Sequence, residues 1–439
     1  MPDSTGTSPP EDRLRASIAE LEAQRERAAE QAPATALATE LAGPAKGRWR
    51  QTVLLPALAI FAALAVGALI IIFTNDKALA EWKGFFRDPS EALSVSWQVV
   101  RDAYYALFSG AFGSPSRLAR AFGSGELIQI REALFPLSET IVTATPLIFV
   151  GLSVALGFRS GLFNIGAEGQ MNAGAMAAAV VGFSLDLPGA LHLTLMVLAG
   201  LAGGAFWGAI PGFLKAKTGA HEVITTIMLN FVAVSLVLYV LGTSLYKQQA
   251  EPVSKPAKVA FPHLLGGNLR VHMGIFAALA AAALMAWLLN RTTIGFEFRA
   301  VGANPDAARA AGMNPTRTTI VVMTLAGGLA GLAGANQLAS VTPSLIPGFA
   351  SGLGFEAIAL ALLGRGTPVG VVLSALLFGA LRVGGRSMQS ITQTPIDIIV
   401  VIQGLVIAFV AAPVLVRAIF RLRARGAAGS QTFAKGWGG

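Results

Sequence analysis

Residues 157–172 read GFRSGLFNIGAEGQMN, a polar stretch set between two apolar runs. Arg159, Asn164, Glu168, Gln170 and Asn172 lie there among glycines. Hydrocarbon penalises unpaired polar groups, so such residues at membrane depth face a cavity, protein or water rather than lipid. The stretch is therefore expected to be a break between helices. The apolar run on each side is long enough to make the whole chain a membrane protein.

Composition agrees. Hydrophobic residues make up 54% of the 439 residues and charged ones 13%, with mean hydropathy +0.62. A soluble chain of this length needs far more charge to coat its surface. The absence of cysteine excludes disulfides, thiolate metal sites and cysteine nucleophiles. His192, His221, His263 and His272 are scattered without metal-ligand spacing. A net charge of +9 raises nucleic acid as a partner, but the basic skirt of cytoplasmic loops accounts for it.

Working outward, residues 1–47 read as a cytoplasmic tail with a charged segment over 11–30. The first apolar run begins near residue 52 without a convincing cleavage site, so it is a span and not a signal peptide. That span, 52–74, follows Lys46, Arg48 and Arg50, which hold the N-terminus inside. Residues 75–131 form an external segment, with an amphipathic helix over 94–108 lying along the interface. Further spans are expected over 132–158, kinked at Pro146, and over 165–185, 190–214, 223–245, 271–290 and 319–339. Residues 246–270 are an external, proline-bearing loop. Residues 291–318 are the longest cytoplasmic connection, with Arg291, Arg299, Arg309 and Arg317. Within it Pro305 and Asp306 start a short helix, Gly312 stops it and Pro315 follows. A short or broken helix over 348–366, an outward span over 367–381 ending at Arg382 and Arg386, and a return over 396–416 complete the pattern.

The fold class is thus an all-α polytopic membrane protein of about ten transmembrane segments, both ends inside. Its parts are a tail (1–47), a first helix with the external segment (48–131), a core (132–420) and a C-terminal cytoplasmic tail (421–439). Two pseudo-repeats contain glycine-broken helices. GLFNIGAEGQMNAGAMAA (161–178) is echoed by GFASGLGFEAIALA (348–361), each with a glycine-rich lead, a carboxylate (Glu168, Glu356) and an alanine-rich helix. Paired interrupted segments in two halves point to a transporter's pathway. Glu168 and Glu356 can bind cargo, couple protons or cap helices. Asn230 and the pair Asn336–Gln337 can hydrogen-bond across helices with no cargo involved. There is no P-loop, zinc motif, nucleophile elbow or pair of membrane aspartates, which counts against an intramembrane enzyme. An ion-coupled transporter using the two glutamates stays open.

Four motifs carry a resemblance: SGLFNIGAEGQM (160–171), HEVITTIMLN (221–230), GFEFRAVGANPDAARAAGMN (295–314) and GFEAIALALLGRGTPVG (354–370). Over roughly 130–416 the chain resembles the permease subunits of ATP-binding-cassette importers for branched-chain amino acids, ribose-type sugars and nucleosides. It is most similar to the nucleoside or simple-sugar subgroup. The resemblance implies a non-enzymatic transport subunit in a bacterial inner membrane. ATPase subunits holding ATP and magnesium dock below it, a second permease chain stands beside it, and a binding protein or lipoprotein delivers cargo from outside. It also implies that 291–318 is the coupling segment, with Arg299, Asn304, Asp306, Arg309 and Gly312 facing the ATPase. Nucleosides are neutral, flat and rich in hydrogen-bonding groups. A lining of amides and aromatics suits them, which makes Asn164, Glu168, Gln170, Asn172, Asn230, Glu356, Phe163 and Phe355 the pathway residues. Simple sugars and branched-chain amino acids are the alternative cargos.

Overall fold

The computed structural model describes residues 48–247, 252–266 and 269–420. The expected tails, 1–47 and 421–439, lie outside the described residues. Two compact units divide the chain, 1–57 and 58–439. Of the first, only the opening of helix α1 is described, and the second contains everything discussed below.

Sixteen helices are present among the described residues. In chain order they are α1 (Arg48–Thr74), α2 (Asp76–Lys83), α3 (Pro89–Phe112), α4 (Pro115–Ser124), α5 (Leu127–Arg159), α6 (Ala167–Ser184), α7 (Gly189–Thr218) and α8 (Glu222–Gly242). There follow α9 (Gly274–Arg291), α10 (Thr293–Ala303), α11 (Pro305–Ala310), α12 (Pro315–Ser340), α13 (Leu353–Leu363), α14 (Pro368–Thr392), α15 (Asp397–Ala411) and α16 (Pro413–Ile419). Four of them start on one device, a capping side chain followed by proline: Asp88–Pro89, Asn304–Pro305, Asn314–Pro315 and Thr367–Pro368. The cap oxygen accepts from free first-turn amides, and proline has no amide to leave unpaired.

Among the described residues seven helices are long and apolar enough to cross a membrane: α1 (over 54–74), α5, α7, α8, α9, α12 and α14. The other three expected spans fall short, each for a physical reason. Helix α6 is diluted by Glu168, Gln170, Asn172 and glycines. Helix α13 has 11 residues and so reaches only about 16 Å. The run 396–416 divides into α15 and α16 at Ala412, where Pro413 starts a new helix.

Two expectations change. Residues 75–131 form three helices and the start of α5, and the helix expected over 94–108 extends to Pro89–Phe112 and packs on α14 and α5. Its alanine face (Ala103, Ala106, Ala111) is buried. A Cβ on Gly110 would collide with the side chain of Ser387, Thr140 Oγ1 donates to Ala111 O (2.8 Å), and the Tyr104 hydroxyl donates to Leu64 O on α1. The ninth span also does not end at Arg382. Helix α14 continues to Thr392, so Arg382 sits inside it with a carboxylate partner, described below.

The centre is built from α5, α6, α7 and α12. Helices α7 and α12 meet along glycines at four-residue spacing, Gly200, Gly204 and Gly208 on one and Gly327 and Gly331 on the other. Water exclusion cannot drive helices together in lipid, so close backbone approach and van der Waals packing do so.

The connection from α8 to α9 folds back on the loop after α12. Ser254 N donates to Leu345 O (2.9 Å) and its Oγ accepts from Leu345 N (2.7 Å), while Ala257 N donates to Pro343 O (2.8 Å) and Phe261 N to Ala339 O (2.8 Å). At its end lies His272, 2% exposed, its ring 5.8 Å from that of Phe261 and its Nδ1 accepting from Gly274 N at 3.1 Å. Burial, with the charges of His263 and Arg270, pushes this imidazole down from 6.5 to about 4. The fold therefore holds it neutral, while an opened chain protonates it near 6.5. The stability that follows is complete above that value and is lost as pH falls toward 4. Thermal unfolding midpoints in detergent should drop from pH 7.5 to pH 5, and His272→Gln should flatten that slope. An unchanged slope in the variant would show that other groups set it.

Candidate functional site

Helix α5 ends at Arg159, and the chain turns through Gly161 (φ +67°), with Leu162 N donating to Gly157 O at 2.9 Å. No side chain fits at Gly161: a Cβ would lie 2.7 Å from Gly302 O. The following residues, 162–166, are not helical and carry their own hydrogen-bond closure. Asn164 Oδ1 accepts from Gly166 N (3.0 Å) and Gln170 Nε2 (3.1 Å). Its Nδ2 donates to Gln170 Oε1 (2.9 Å) and Ser153 Oγ (3.2 Å). From α8, Asn230 Oδ1 accepts from Gly169 N (2.8 Å) and its Nδ2 donates to Ile165 O (2.9 Å). Broken backbone at membrane depth must find partners within the protein, and these amides supply them.

Glu168 reaches the other half of the chain. Its two carboxylate oxygens accept from Gly352 N (2.9 Å) and Gly354 N (2.8 Å), the free amides opening α13. Gly352 has φ +79°, and a Cβ on Gly354 would press into the backbone of Ala167 and Glu168. A carboxylate on two N-terminal amides satisfies both donors and complements the helix dipole. The opposite end of α13 is held by the same stretch: Arg159 Nε donates to Gly366 O at 3.1 Å. Thus Glu168 binds the amino end of one short helix and Arg159 binds the turn that follows its carboxyl end.

Glu356, in the first turn of α13, pairs with Arg382 of α14 (Nη2 to Oε1, 2.6 Å). Both side chains are about a quarter exposed, and Glu356 Oε2 is buried without a hydrogen-bond partner. Beside it Phe355 is exposed. Phe163 is half-buried, with its ring 5.0 Å from Phe158, and Asn172 is buried on α6. The structure therefore joins Asn164, Gln170 and Asn230 around one break and ties Glu168 to the other. Phe163, Phe355 and Glu356 keep surface open to contact.

Arg382 was missed in the sequence, though an arginine deep in an apolar helix is itself a signal. Two observations hid it: Arg386 follows closely, and together they mimic a span end.

In the segment 291–318, Asn304 Oδ1 accepts from Asp306 N and Ala307 N, both at 3.0 Å. Asp306 and Arg309 are exposed and paired at 3.1 Å. Arg299 is half-buried, its Nε 3.4 Å from Gly295 O, and Gly312 turns the chain at φ +85°. Among the described residues no cluster of His, Asp or Glu could hold a metal.

Two half-chains that each bring a glycine-led helix to one buried polar joint, within a bundle of apolar helices, define a membrane transport subunit. The comparisons specify it. The family model described as "Branched-chain amino acid transport system / permease component" matches residues 137–411, and the chain belongs to that family of ABC transporter permeases. It is 36% identical over 380 residues to the guanosine ABC transporter permease protein NupP of Bacillus subtilis, covering 85% of this chain and 97% of that one. It is 35% identical to the glucose ABC transporter permease protein TsgB13 of Haloferax volcanii, covering 81% and 86%. It is 37% identical to the nucleoside ABC transporter permease protein NupB of Lactococcus lactis, covering 63% and 79%. No solved structure matches the chain.

Proposed function

We propose that the chain imports nucleosides as one of two permease subunits, powered by separate ATPase subunits that hold ATP and magnesium. One observation carries the choice of cargo: the similarity to the guanosine permease runs through nearly all of both chains. The glucose relative makes a simple sugar the second reading. Bacillus subtilis and Lactococcus lactis each have two matching nucleoside permeases, NupP with NupQ and NupB with NupC, which supports a related second subunit. An external binding protein or lipoprotein delivers cargo, and both termini of this chain are cytoplasmic.

In this reading Phe163, Phe355 and Glu356 touch the passing cargo. Asn164, Glu168, Gln170, Asn172 and Asn230 form the wall behind them. A flat base slides over aromatic faces, and its polar edges exchange bonds with a carboxylate without being held tightly. Arg299, Asn304, Asp306, Arg309 and Gly312 belong to the ATPase-facing segment. Removing the Asn304 cap (Asn304→Ala) should cost about 1 kcal/mol of local helix stability. It should weaken ATPase co-purification and leave thermal stability of the free chain almost unchanged.

The test is uptake in a reconstituted complex containing the ATPase, the second permease and the binding protein. Labelled guanosine should enter on ATP addition and be competed by other nucleosides, not by glucose or leucine. Competition by glucose alone would move the assignment to sugars. Uptake that survives without any ATPase but collapses with the ion gradient would replace the ABC mechanism altogether.

A further inference from the structure

The exposed helix α11 is connected to the clamped helix α13 by a route without slack. Asn304 is at once the C-cap of α10 and the N-cap of α11, so the two helices share one residue and have no linker. Two residues earlier, Gly302 lies backbone to backbone against the turn that ends α5. A Cβ on Gly302 would stand 2.7 Å from Gly161 N and 2.9 Å from Ser160 Cα, and one on Gly161 would stand 2.8 Å from Gly302 Cα. No side chain separates these segments, so neither can shift without the other. Arg159 and Glu168, on either side of Gly161, hold α13 from both sides, through Gly366 O in the turn that follows it and through the amides of Gly352 and Gly354 that open it.

We infer that Gly302, Gly161 and Arg159 are positioning residues that carry displacement of the coupling segment into α13, whose first turn presents Phe355 and Glu356. The inference rests on the proposed docking of α11 on an ATPase. It assigns the transmission to one backbone contact and one clamp, where the bulk of the helix bundle would otherwise serve.

The native chain has no cysteine, so a thiol introduced by Phe355→Cys is unique to this subunit. In the assembled complex its maleimide labelling rate should change by about fivefold or more when ATP and magnesium are added, the lower end of the range for a coupled two-state element. Gly302→Ala in that background should abolish most of this response, with ATP hydrolysis kept within about twofold because the docking surface is untouched. Arg159→Met, which preserves the backbone contact and removes the donor to Gly366 O, should do the same in case Gly302→Ala fails to assemble. Three results overturn the inference: a thiol indifferent to ATP in the parent, a full response in both variants, or hydrolysis and response falling together. The last would mean that the contact only shapes the docking surface. A thiol that answers ATP in a complex whose uptake assay shows no nucleoside transport supports the relay and defeats the cargo reading, so the two fail separately.

Discussion

Replacing Arg382 by methionine is expected to destabilise the chain by about 3–5 kcal/mol, the loss that follows when one partner of a buried ion pair is removed. Methionine retains the length and apolar packing of the stem, so charge is the principal change. What remains is the Glu356 carboxylate, about three-quarters covered, with one oxygen lacking any partner and the other deprived of its 2.6 Å donor. The Glu168 carboxylate lies within electrostatic reach and adds repulsion. Combining Arg382→Met with Glu356→Gln removes the stranded charge and should recover at least half of the loss. Unfolding by detergent titration measures both. A single variant as stable as the parent would mean that water already solvates Glu356 and that the pair contributes little. In uptake assays the double variant should stay impaired, because the proposed function uses Glu356 itself, and this separates stability from transport.

The second large effect is expected where α7 crosses α12. Gly204→Val places a branched side chain where a single Cβ already stands 2.6 Å from Gly331 Cα and 2.7 Å from Gly331 N. The obstacle is backbone, which cannot rotate away as a side-chain tip can. The helices must part, and separation also affects the contacts at Gly200, Gly208 and Gly327. Overpacking of this kind costs about 3 kcal/mol and sometimes more. The variant should be recovered mainly as aggregate. Gly242→Ala in α8, with nothing within 4 Å, is the matched control and should leave the melting midpoint unchanged or slightly raised. Equal behaviour of the two variants would show that the glycine stripe is incidental.

Much of this architecture can be read from residue pattern. The break at 157–172, its echo at 348–361 and the short helix after Asn304 all appear where glycine, proline and capping residues place them. Such signals are local, and local chemistry is what a sequence displays. Glu168 shows where legibility ends. Capping was among its readable roles, yet its partners are backbone amides 184 and 186 residues away, and an amide has no residue identity to announce it. The pairing of Gly161 with Gly302 is hidden for the same reason, since a contact between two absent side chains leaves no pattern. The amides illustrate a different gap. Asn164, Gln170 and Asn230 are legible as polar residues in an apolar setting. Only their geometry reveals that they spend their hydrogen bonds on one another and on the neighbouring backbone.

The short span of α13 has a consequence for how the protein is made. A segment of 11 residues covers about half of a bilayer's hydrocarbon core, too little for the insertion machinery to commit it across the membrane alone. It has to be seated after the spans around it, against groups already waiting. Those groups, Arg159 and Glu168, are synthesised 207 and 184 residues before their partners. The first half of the chain thus serves as the assembly jig for the second. Nascent chains carrying Glu168→Ala should leave the ribosome with α13 unseated and open to protease, whereas the same chains cut short before Gly348 should be indifferent to the substitution.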